Sequence, residues 1–101
     1  MKIQVRKLSG ICEKSIGLIG KKTVYPVYFT TRFGIHTFGM LKAIDVLVLD
    51  SQDRVVRLKE NIYPNRLFFW PPVYSRIIEL PAGWIRLNKV VIGTTINISP
   101  Q

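Results

Sequence analysis

Few residues in this chain are equipped to do chemistry. There is one histidine, His36, and one cysteine, Cys12. His36 precedes Asp45, and Leu41-Lys42-Ala43 between them is placed to return the chain on itself, so that imidazole and carboxylate can lie side by side. An imidazole oriented by a carboxylate is the apparatus of a general base, which makes His36 and Asp45 the catalytic candidates. The same two groups also suit a structural hydrogen bond at one end of a sheet, and that simpler reading is the expectation here. No serine stands in a nucleophile-elbow context, and Cys12 belongs to a different segment. One cysteine excludes an internal disulfide and any cysteine-based zinc cluster. With a single histidine besides, a metal site would have to lean on carboxylates, so neither a metal nor a cofactor is expected. The chain reads as a binding protein before it reads as an enzyme.

Two kinds of binding are in view. A small ligand or a protein partner would be held near His36, Thr37, Met40, Asp45 and Trp70, where the sole imidazole and the aromatic run Leu67-Phe68-Phe69-Trp70 supply polar and apolar groups. The alternative is nucleic acid. The net charge is +9, from fifteen basic and six acidic residues. The excess is uneven: residues 1–33 carry seven Lys or Arg against Glu13 alone, while residues 34–62 balance four against four. Such a field attracts phosphate polyanions. Lys21, Lys22 and Arg32 would meet phosphates while Tyr28, with Tyr25, Phe29 or Phe33, stacked on bases. No RNA-binding sheet motif accompanies them.

These residues need elements to position them. At 101 residues and 48% hydrophobic, the chain is one domain, outside the disordered class. No apolar run approaches the ~18 residues of a membrane-spanning helix. The opening Met-Lys-Ile-Gln-Val-Arg-Lys lacks the apolar core of a signal peptide, so the expected location is cytoplasmic. Residues 2–8 alternate polar and apolar, as a half-buried edge strand would. Ser9 can cap a weak helical turn through residue 15. Residues 15–22 hold two glycines but lack the GxxxxGK[ST] spacing of a phosphate loop, and they read as a tight turn. Residues 23–31 form a second strand, with Pro26 arguing for an edge or a bulge. Residues 34–40 form a third, bent at Gly39.

Residues 44–49, IDVLVL, are apolar on both faces: Ile44, Val46 and Val48 on one, Asp45, Leu47 and Leu49 on the other. That pattern predicts a central strand covered on both sides. A buried carboxylate is costly without donors, so Asp45 should lie near the strand start or meet a hydrogen-bond donor. Asp50-Ser51-Gln52-Asp53 turns the chain into a strand over residues 54–59, giving a hairpin. Residues 61–72, bracketed by Pro64, Pro71 and Pro72, read as an irregular aromatic arm that closes one end of the core or meets a partner. Residues 76–80 form a further strand. One helical turn should follow at residues 84–88, with Trp84 and Leu87 on one face, and a last strand at 94–98. The fold class predicted is mainly β (α+β): a small barrel-like or folded antiparallel-rich sheet with one or two short helical turns.

Several of these segments together resemble the domain-of-unknown-function family 192. Ile35-His36-Thr37-Phe38-Gly39-Met40, Ile44-Asp45-Val46, Leu49-Asp50 with Arg54-Val55-Val56, and Glu79-Leu80-Pro81-Ala82-Gly83 stand in that family's order, and Gly17-Leu18-Ile19-Gly20-Lys21 is similar to its GLM-x-R segment. Ile19 stands where Met is usual, the family's acidic-glycine element is missing between Gly20 and Gly34, and Asp53 takes the place of the usual turn glycine. The resemblance implies a mainly β domain with a barrel-like sheet and short helices. It implies no established activity, substrate or cofactor.

Overall fold

The six residues Ile44–Leu49 form a strand with every side chain buried, the environment that a run apolar on both faces requires. Around it, the computed structural model describes residues 1–7, 26–32 and 34–100. The described chain runs β1 (Lys2–Lys7), β2 (Val27–Thr30), β3 (Gly34–His36), β4 (Ile44–Leu49), β5 (Val55–Ile62), β6 (Leu67–Phe69), β7 (Arg76–Pro81), α1 (Trp84–Leu87) and β8 (Asn97–Pro100). The expectations for residues 9–15, for Cys12, for the glycine run at 15–22 with Lys21 and Lys22, for residues 23–25 and for Phe33 lie outside the described residues.

Six strands make one mixed sheet in the order β5-β4-β7-β2-β1-β8, and β3 pairs with β6 as a separate two-stranded ribbon. Pairing is antiparallel from β5 to β2 and parallel on both sides of β1. The mainly β class is therefore right, with one short helix among the described residues. Those residues do not form a closed barrel. β5 and β8 are the two ends of the strand order, and they approach at one corner only. There an isolated Arg54–Thr95 bridge is joined by Val55 N–H to Thr94 O at 2.9 Å and Ile96 N–H to Asp53 O at 2.8 Å. The sheet curls until its ends touch without running a ladder between them.

Each face of the sheet carries its own apolar layer. Leu47 and Leu49 join Ile3, Val5, Tyr28, Ile78, Leu80 and Ile96 on the first face, beneath Ile85 of α1. Ile44, Val46 and Val48 join Val27, Phe29, Ile77 and Ile62 on the second, where Met40 and Trp70 cover them. Full burial of each such side chain contributes about 1.5–3 kcal/mol, and the alternation of β4 serves both layers at once.

Several boundaries differ from expectation for identifiable reasons. β1 is not an edge strand, because β2 and β8 flank it. Pro26 falls immediately before β2, so an interior strand loses no ladder donor to it. The third strand stops at His36 because Gly39 turns the chain at φ 81, a conformation that favours glycine. β5 runs on to Ile62 past a register shift opposite Ile44 and Val46, with Asn61 at φ 54. Part of the aromatic arm is then strand β6. In α1 the expected face is half right: Trp84 packs partly buried against the first apolar layer, but the buried residue beside it is Ile85, and Leu87 is exposed.

Candidate functional site

Asp45 begins as a carboxylate inside an apolar strand, and the fold supplies its donors. It has no accessible surface. Its Oδ1 accepts the Asn61 N–H at 2.9 Å, and its Oδ2 accepts the Ile85 N–H, also at 2.9 Å. The first donor is the backbone at the β5 irregularity. The second is one of the amides that the first turn of a helix leaves without an internal acceptor. Asp45 therefore ties β4 to β5 and to α1 at once. His36 is not brought to it. The imidazole is exposed, its Nδ1 accepts the Phe38 N–H at 3.3 Å, and its ring stacks on Phe38 at 5.1 Å between centroids. One member of the candidate pair is sealed and the other faces solvent.

Thr37, next to His36, is likewise fully buried. Its hydroxyl donates to Tyr63 O at 2.7 Å and accepts the Arg66 N–H at 2.8 Å. Its backbone adds Thr37 N–H to Arg66 O at 2.9 Å and accepts Asn65 N–H at 3.1 Å. One threonine thus pins the whole loop between β5 and β6. Asn61 near the end of β5 and Asn65 in that loop adopt left-handed backbone at φ 54 and φ 63, a conformation asparagine takes more readily than most residues.

Between these two pins lies a cleft of about 330 Å³, lined by Lys59, Glu60, Asn61, Ile62, Tyr63, Arg66, Leu67 and Phe68. Ile62 is buried within it, while Lys59, Tyr63, Arg66 and Leu67 are exposed. The cleft continues onto the outer face of the ribbon through Leu67, whose register partner on β3 is His36. On that face Phe69 is 65% exposed, Leu67 56% and Phe38 48%. Gly34 makes the arrangement possible: a Cβ there would come within 2.6 Å of the Phe69 ring and 2.5 Å of Phe68 O. The opposite residues of the ribbon, Ile35 and Phe68, pack against the second apolar layer.

The remaining candidates fall as follows. Met40 and Trp70 are core residues; the Trp70 indole N–H donates to Tyr74 O at 2.8 Å. Tyr28 and Phe29 are buried as well, so neither presents a ring face for a base to stack on. The Tyr28 hydroxyl accepts from Arg76 Nε at 3.0 Å. Arg32 is exposed beside Thr30, Thr31 and Ser75. Among the described residues, no three of His, Cys, Asp or Glu gather as metal ligands would, and no helix is long and apolar enough to cross a membrane.

Sequence reasoning passed over Glu79. It is buried on β7 with Val27 and Val46 as its cross-strand partners, and its carboxyl makes no side-chain hydrogen bond among the described residues. Burial raises its carboxyl to about 8, so it is largely neutral at pH 7. The signal was available, since it is a carboxylate in the apolar run Arg76–Pro81 just as Asp45 is in Ile44–Leu49.

Fold and site together define a small mixed-sheet β domain with a flanking ribbon and a cleft held open from beneath by buried polar pins. The chain belongs to the DUF192 family, described as uncharacterized ACR, whose model matches residues 2–98. It is 36% identical over 100 residues to the UPF0127 protein of Pyrococcus horikoshii, across 92% of this chain and 85% of that one. It is 35% identical over 79 residues to the UPF0127 protein of Pyrococcus abyssi, across 76% and 67%. Two crystal structures share the fold: a candidate transcription regulator from Sinorhizobium meliloti 1021, with TM-score 0.79 at 19% identity over 88% of this chain and 76% of that one, and a protein of unknown function from Novosphingobium aromaticivorans, with TM-score 0.74 at 13% identity over 88% and 69%.

Proposed function

We propose that this protein is a non-catalytic binding module whose working surface is the outer face of the β3–β6 ribbon together with the adjoining cleft. The observation that carries the reading is the exposure of Phe38, Leu67 and Phe69 around His36 on one face of a ribbon whose other face is anchored in the core. Apolar side chains grouped in this way mark interaction sites more often than scattered ones do. His36 supplies a polar, orientable group at the centre of the patch, while Thr37 and Asp45 hold the backbone around it. A preformed surface of this kind binds with little ordering cost.

Titration with a panel of small aromatic fragments and short apolar peptides, read by amide chemical shifts, tests it. The expected footprint covers residues 36–38 and 66–69. Hits scattered over the sheet, or a silent ribbon, would end this reading. Phe69→Ser should abolish the footprint while shifting the melting midpoint very little, because the side chain is already in water.

A further inference from the structure

We propose that the cleft between β5 and β6 is a site for a small amphiphilic anion, an apolar body carrying one carboxylate, with Lys59 and Arg66 as the groups that hold the charge. The inference rests on the binding reading above and adds the chemical class of the ligand.

Size comes first. At about 330 Å³ the cleft lies at the lower end of the range for small-molecule sites, enough for a ring and a short chain. Its lining is divided. Ile62, Leu67, Phe68 and the Tyr63 ring supply the apolar part, while Lys59 and Arg66 stand exposed beside it. Neither cation forms an ion pair among the described residues, where the pairs are Asp50–Arg54, Asp53–Arg76 and Glu60–Arg86. Glu60, the acid in the lining, has its Oε1 buried without a hydrogen-bond partner and 4.0 Å from Nε of Arg86 on α1. Arg66 Nη1 donates only a long bond to Asn65 O at 3.4 Å. The local balance is therefore two cations against one carboxylate that Arg86 partly offsets, over an apolar floor.

Rigidity comes next. Both ends of the lining segment are fixed by groups out of reach of water: Asp45 holds the Asn61 N–H, and Thr37 holds Tyr63 O and the Arg66 N–H. The Arg66 backbone, and with it the root of one cation, is held by hydrogen bonds to Thr37: Arg66 N–H to the hydroxyl and Thr37 N–H to Arg66 O. A carboxylate placed between Lys59 and Arg66 would gain from both while its body displaced water from Ile62 and Phe68. A neutral ligand of the same shape would gain only the second term.

The test compares 4-phenylbutyrate with the uncharged 4-phenylbutanol, titrated into the intact protein at low ionic strength and followed by amide shifts. The carboxylate should perturb residues 59–68 and bind roughly fivefold or more tightly than the alcohol. That advantage should vanish in the Lys59→Gln/Arg66→Gln double variant and fade at about 0.5 M salt, where charges at the surface are screened. Both side chains are exposed, so the variant should keep its dispersed spectrum and melting midpoint; if it does not, each single variant supplies the comparison. Equal affinity for acid and alcohol at residues 59–68 would overturn the anion inference and leave the binding reading standing. Carboxylate shifts confined to other surfaces would overturn it too, whatever fragments do at the ribbon.

Discussion

At the scale of single residues, the two polar groups buried beside the cleft act through backbone amides. Asp45 leaves two N–H groups orphaned if it is lost, and each unsatisfied buried donor costs about 1–3 kcal/mol. Asp45→Asn retains one acceptor but turns an NH₂ toward a donor, so it should cost about 2 kcal/mol or more in urea unfolding. Thr37→Val, equal in shape, should cost a similar ~2 kcal/mol and broaden the amide signals of residues 63–66. A loss below ~0.5 kcal/mol at both sites would mean that the pins carry no strain-bearing role. Glu79 acts in the opposite direction. Its carboxyl titrates near 4.5 in the unfolded chain and at about 8 when buried. The folded state thus holds a proton that the unfolded state has released. Stability is greatest below pH 4.5 from this group alone, and it declines as pH rises through the interval to about 8. Glu79→Gln should flatten that decline when unfolding is measured from pH 5 to 9, and an unchanged slope would assign the pH dependence elsewhere.

At the scale of elements, the β4–β5 turn shows how a departure from the family pattern is accommodated. Asp53 occupies the place of the usual glycine, and its φ is 62. The strain is offset by neighbours. Asp50 Oδ1 accepts the Gln52 and Arg54 N–H groups at 2.8 and 2.9 Å, which together with the Arg54 guanidinium holds the Asp50 carboxyl below its ordinary pKa despite partial desolvation. Arg76 Nη1 stands 2.5 Å from Asp53 Oδ1, an ion pair that holds the turn residue from the side. Asp53→Ala loses the ion pair and keeps the β-carbon at positive φ, whereas Asp53→Gly loses only the ion pair. The glycine variant should therefore be the more stable of the two by about 1 kcal/mol in thermal unfolding. Equal midpoints would show that the turn is unstrained.

At the scale of the molecule, what could be read from the chain follows from how local each signal is. β4, its hairpin with β5, and β7 were legible because apolar runs of strand length and a polar turn lie within a few residues of one another. The flanking of β1 by two parallel partners was not, because parallel pairing brings together segments far apart in sequence and has no turn to announce it. Of the ribbon, β3 was read within a longer strand over residues 34–40, whereas β6, three residues hemmed by Pro64 and Pro71, gave no periodicity to detect. The site divides in the same way. Asp45 stood out as a carboxylate in an apolar strand and Thr37 was named only as a ligand-binding neighbour of His36, while their partners Tyr63, Arg66, Asn61 and Ile85 lie between 16 and 40 residues away. Lys59 and Arg66 looked like ordinary surface charges until the loop brought them to one cleft. The barrel-like expectation came close, since the curl is real at the Arg54–Thr95 corner.

The place of β1 between β2 and β8 has a consequence for how the protein is made. Lys2 aligns with Asn97 and Val5 with Pro100, so β1 lacks a neighbour on one side until the ribosome has delivered residues 97–100. Until then it carries a bare row of amides and carbonyls. The five strands other than β8 can pair before then, so it is this outer ladder alone that forms late, and premature termination upstream of residue 97 would release chains prone to stick to one another along that row.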